Sequence, residues 1–144
     1  MALLVSVIAP VAGAQARSTV KLPPMPPGAW HATINVRIKG QAHTLVYDRG
    51  RVTAVGTTSY TVREADGSSV TISVGPSTVI TIDGQPATLA QMKPLEQATD
   101  VSIDGGEAAR VVVKIPPALA ALWARQAARQ ARIAARQAQK GGSQ

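Results

Sequence analysis

"SYTVREADGSSVTISVGPSTVITIDG", residues 59–84, decides the fold class, because its apolar residues recur at every second position and its breaks are turn residues. Val70, Ile72 and Val74 share one side of an extended segment, since successive side chains of a strand point to opposite faces. Asp66-Gly67 and Asp83-Gly84 are dipeptides that accept the left-handed backbone of a two-residue hairpin turn. Gly75-Pro76 interrupts the run between them, because proline has no N–H to give to a ladder.

The same period extends in both directions. Toward the N-terminus, "HATINVRI" (31–38) alternates Ile34, Val36 and Ile38 against Asn35 and Arg37, and "HTLVYDRGRVTAV" (43–55) reads as a longer strand interrupted at Gly50. Toward the C-terminus the period changes at "TLAQMKP" (88–94). Thr88 and Gln91 have the spacing of a capping box, which predicts one or two helical turns stopped before Pro94. "DVSID" (100–104) and "ARVVVKI" (109–115) return to alternation, with Val101, Ile103, Val111, Val113 and Ile115 inward and Gly105-Gly106 between them. The expected class is therefore all-β. Its order of strands and one short helix is that of a small OB-like β-barrel, with an added leading strand and a C-terminal α-helical tail.

The totals bound the rest. A chain of 144 residues with 45% hydrophobic and 16% charged residues suits one folded domain with accessories. Without cysteine, disulfides and thiolate metal sites are excluded, and with 3% aromatic residues the core falls to Val, Ile, Leu and Ala. The apolar run "MALLVSVIAPVAGAQA" (1–16) ends in Ala14-x-Ala16, the pattern of a secretory signal, with cleavage expected before Arg17. The expected organisation is a signal peptide over 1–16, a Pro-rich linker over 17–29, a β-barrel domain over 30–116 and a basic helical tail over 117–144. An exported location follows: extracellular, periplasmic or associated with the cell envelope.

The stretch from Arg49 to Pro94 resembles the bacterial family known as domain of unknown function number 5666. The resemblance is carried by Gly50, Val52 and Val55, by Asp66-Gly67, Thr78 and Asp83-Gly84, and by Ala87 to Lys93, and it covers roughly residues 45–115. It implies an exported bacterial β domain and brings no catalytic residues. The family's pattern has a glycine turn after its short helix, where this chain has "KPLEQATDVSI" (93–103).

Catalysis is not expected, for the chain lacks a nucleophile elbow, a phosphate-cradling glycine loop and a His-Glu-x-x-His motif. His31 and His43 could face each other across a hairpin, but neither has a carboxylate at a ligand spacing, so no metal or other cofactor is expected. On the barrel face, Arg49, Arg51 and Arg63 with Tyr60 are the residues that could take an oligonucleotide or oligosaccharide, as OB-folds do with a basic groove and aromatic platforms. Export argues against nucleic acid.

The tail points more directly at a partner. Residues 18–116 carry nine Lys or Arg against eight Asp or Glu, whereas 117–144 hold Arg125, Arg129, Arg132, Arg136, Lys140 and no acid. Pro117 suits a first helical turn, and the alanine-rich run after it favours helix. At 3.6 residues per turn the five cations fall within about 80° of arc. Such a stripe suits an anionic lipid surface or an anionic envelope polymer. The expected function is an exported, non-catalytic binding or scaffolding module of the bacterial cell envelope.

Overall fold

The computed structural model describes residues 21–142. The expected signal segment lies outside the described residues. Eight strands form one sheet: β1 (His31–Ile38), β2 (Gln41–Val55), β3 (Ser59–Arg63), β4 (Ser69–Ser73), β5 (Val79–Ile82), β6 (Gln85–Ala87), β7 (Gln97–Ile103) and β8 (Ala108–Lys114). A 3-10 turn, Leu89–Gln91, separates β6 from β7, and one helix, α1 (Pro117–Gly141), ends the described chain. The sheet order is β4-β3-β2-β7-β8-β5-β6, with β1 also paired to β2. All neighbours are antiparallel except β5 and β8. The ladder is not closed.

The long β2 organises the sheet. Residues 41–48 pair with β1, and residues 51–55 pair with β3 after it. Gly50 stands at this handover and does not interrupt the strand, which runs unbroken to Val55. A Cβ at Gly50 would lie 2.5 Å from the Arg63 carbonyl oxygen, so the glycine serves the close approach of β3.

Alternation divides the buried side chains into two cores. The larger is formed by Val52, Tyr60, Val62, Ile72, Ile80, Leu89, Met92, Ala98, Ala108, Val111 and Val113. Residues opposite one another in a ladder share a face, so Val52, Val62 and Ala98 with its partner Val113 line one side of the sheet. On the other side Leu45, Tyr47 and Val101 form a smaller core with Leu22 and Met25. Burying each aliphatic side chain fully stabilises the fold by about 1.5–3 kcal/mol.

That second core gives the Pro-rich linker a packing role. Residues 21–30 carry no ladder, yet Leu22 and Met25 are buried against the sheet and the Tyr47 hydroxyl donates a hydrogen bond to the Pro23 carbonyl. Proline keeps the strap extended while its two apolar side chains reach inward.

The turns follow their residues. β5 and β6 are joined by Asp83 (φ +48°) and Gly84 (φ +80°), the left-handed pair expected of a two-residue hairpin. At the expected helix, Gln91 Oε1 accepts from the Thr88 N–H at 2.8 Å over a single 3-10 turn. The chain then enters β7 through Leu95, which holds φ +75° and is half exposed. This is a left-handed position occupied by a residue with a Cβ.

Candidate functional site

The helix is built as the sequence suggests. Pro117 stands at its first position, and an N–H from Ala120 reaches the Pro116 carbonyl at 3.0 Å. Its first two turns touch the body: Leu119 is buried, Trp123 is half-buried, and the Lys93 ammonium lies 4.9 Å from the Trp123 ring centroid. Leu122 stays exposed. From Ala124 onward every described helical residue is exposed, including Arg125, Arg129, Arg132, Arg136 and Lys140. At 1.5 Å per residue the 25-residue helix is about 37 Å long. No described helix is long and apolar enough to cross a membrane.

The proposed barrel-face residues do not stay together. Arg51 and Arg63 are opposite partners of β2 and β3 and both are exposed, while Arg49 follows on the same face and donates from Nε to Thr99 Oγ1 at 3.2 Å. Tyr60 points to the other side. It is 1% exposed within the larger core, so it cannot be a stacking platform. Its place beside the arginines is taken by Trp30, which is 43% exposed and shares a groove of about 310 Å³ with Arg49, Arg51 and Arg63.

A third constellation escaped the sequence. His31 and His43 are not opposed: His31 pairs with Asp48 in the β1–β2 register and His43 with Val36. Each instead meets a carboxylate, His31 Nδ1 lying 2.7 Å from Asp48 Oδ1 and His43 Nδ1 2.6 Å from Asp104 Oδ2. Asp48 has a second neighbour, Asp100, directly opposite it on β7. Just beyond β3, Glu64 joins this group, and Ser68 Oγ donates to its Oε2 at 3.1 Å. Asp48, Glu64 and Asp100 are all buried.

Their electrostatics follow from that crowding. Burial, then the charge of Asp48, pushes the Asp100 carboxyl up to about 8. Burial and the hydrogen-bonded Asp48 raise Glu64, whereas the hydrogen bond to Asp48 raises His31 by favouring its imidazolium. Asp104, exposed and receiving the Thr44 N–H and the His43 ring, is lowered. Nothing in residue spacing signals the cluster. By alternation Asp100 falls on the face opposite Val101 and Ile103, which the sequence marks as inward, so its burial is not announced.

Comparison with protein-family models, curated proteins and solved structures finds no match to this chain.

Proposed function

We propose that the chain is an exported, non-catalytic binding module of the cell envelope, whose cationic helix attaches a β domain to an anionic surface. The observation that supports this most is the exposure of Arg125, Arg129, Arg132, Arg136 and Lys140 on a helix that carries no acid. Neighbours such as Arg125 and Arg129, or Arg132 and Arg136, oppose helix formation by a few tenths of a kcal/mol per pair. An anionic surface removes that repulsion.

The body is read as OB-like. What supports that reading is that β4 and β5 flank Gly75-Pro76 and, taken as two halves of one bent strand, pair with β3 and with β8, as the middle strand of an OB-fold would. The resemblance over residues 45–115 to the family of domain 5666 and the leader-like run at 1–16 support the exported setting.

The test is co-sedimentation of the full chain with anionic vesicles and, separately, with a soluble phosphate polymer. Each cation near an anionic surface is worth about 1 kcal/mol, so replacing Arg125, Arg129, Arg132 and Arg136 with glutamine is expected to weaken vesicle binding about 1,000-fold without moving the thermal melt. Undiminished binding by that variant would refute the attachment. A second reading places an oligosaccharide in the groove of Trp30, Arg49, Arg51 and Arg63, because an exposed indole and three arginines line it, beside Glu64. In that case Trp30→Ala with Arg51→Gln abolishes glycan binding and the helix variant does not.

A further inference from the structure

The interior end of the sheet gathers its acids by register. His31 opens β1 opposite Asp48 of β2, Asp100 of β7 stands opposite Asp48 on its other flank, and Glu64 follows the last residue of β3. Opposite residues in a ladder share a face with Cβ atoms about 5 Å apart, and like charges placed so repel. Here the repulsion lies in a buried setting, where it is least screened. Among the described residues no Lys or Arg forms an ion pair with these carboxylates; the one cation-forming partner is His31. Arg49, Arg51 and Arg63 lie on the opposite face of the strands from Asp48 and Asp100, in a groove that Glu64 also borders.

Two further observations bear on this cluster. Three buried polar atoms lack a well-formed hydrogen bond, the Tyr60 hydroxyl, Asp100 Oδ1 and Glu64 Oε1; the first two face each other, which leaves Glu64 Oε1, on a side chain 8% exposed, beside Asp48 with no donor. Such atoms are costly unless something answers them. Ligand atoms of His31, Asp48 and Glu64 also lie within 4.8 Å of one another. A cleft of about 640 Å³ bordered by Trp30, His31, Asp48, Glu64 and Asp66 gives access.

We propose that His31, Asp48 and Glu64 bind one divalent transition-metal ion of the zinc class, with the Asp100 carboxyl behind them. The donor set decides the class. Imidazole nitrogen with carboxylate oxygens suits zinc, which accepts both at about 2.0–2.2 Å, while calcium takes six to eight oxygens and magnesium keeps an oxygen octahedron. A dication balances the charges of the Asp48 and Glu64 carboxylates. His43 with Asp104, at the far end of the β1–β2 ladder, offers one imidazole and one exposed acid and serves as the control.

The experiment is calorimetric titration of the full chain, stripped with chelator, using zinc and then calcium. Zinc is expected to bind one per chain, at least tenfold more tightly than calcium, with Asp48→Asn and Glu64→Gln each weakening it at least tenfold and His43→Asn leaving it unchanged. Cobalt titrated into the unsubstituted chain gives a visible d–d spectrum distinct from the aqua ion and displaced by zinc, a readout that needs no variant to fold. No zinc binding, a cobalt spectrum equal to that of the aqua ion, or binding that follows His43 in place of Asp48 and Glu64 overturns the assignment.

Discussion

The β body and the helix treat charge in opposite ways. In the body, four acids are buried, Asp48, Glu64, Glu96 and Asp100, and three of them crowd one end of the sheet. In the helix, five cations are exposed and none has an acidic neighbour on the same helix. A buried charge acts on its neighbours, through a low dielectric, and is felt as stability and as a displaced pKa. An exposed charge barely affects the fold that carries it and is left to act on a partner. The body is therefore where charge sets stability, and the helix is where charge is on offer.

The most forceful way to break this contrast is to add the same charge to both regions. Val111 is fully buried in the larger core, so Val111→Asp buries an unpaired carboxylate and is expected to cost more than about 4 kcal/mol, enough to abolish the cooperative melt. Ala128→Asp on the exposed helix is expected to shift stability by less than about 0.5 kcal/mol. Paired thermal melts followed by circular dichroism check this. Equal losses in the two variants would erase the distinction.

A smaller effect sharpens it. Asp100 has a folded-state pKa near 8, above its ordinary 3.8, so between those values the native chain holds a proton that the unfolded chain has released. Stability from this group then falls as pH rises from about 4 to about 8. The raised His31 acts in the same direction, since its pairing with Asp48 is complete below about 6.5 and is lost as pH rises through its folded pKa. Asp104 and Asp66, both lowered, work at the other end, and their contribution disappears as pH falls below about 4. In chelator the chain is expected to be most stable between about pH 4 and 6, and Asp100→Asn to flatten the decline toward pH 8 by a few kcal/mol. Denaturant titrations at pH 5 and pH 8 measure it; a parent chain equally stable at both would contradict the buried, protonated Asp100.

The smallest effect concerns backbone. Leu95 holds a left-handed conformation at an exposed position, so Leu95→Gly is expected to raise stability by about 0.5–1 kcal/mol, read as a small rise in Tm. A loss would mean that the leucine side chain packs more than its exposure suggests.

Much of the body was legible because strand alternation and Asp-Gly turns are local properties. The features misread were those decided by distant neighbours. Glycine inside a strand pattern signals either a break or a close approach, and only the Arg63 carbonyl beside Gly50 selects the second. Leu22 and Met25 sit among prolines with no period to announce burial, and they become a strap because Leu45, Tyr47 and Val101 leave an apolar face to cover. The cationic stripe was visible in the helical period. Alternation places Tyr60 on a strand without saying which of its sides is inward, and residues 31, 48, 64 and 100 meet only through pairing across β1, β2, β3 and β7. A glycine expected before β7 is replaced by Leu95, which adopts the glycine-like backbone nonetheless.

The most direct measurement of the central claim is the salt dependence of binding by the full chain to vesicles with and without anionic lipid. Screening length falls from about 10 Å at 0.1 M salt to about 3 Å at 1 M, so attachment through the helix is expected to require anionic lipid and to be lost across that range while the thermal melt stays in place. Binding that is equal on neutral vesicles, or that persists at 1 M salt, would contradict an electrostatic anchor.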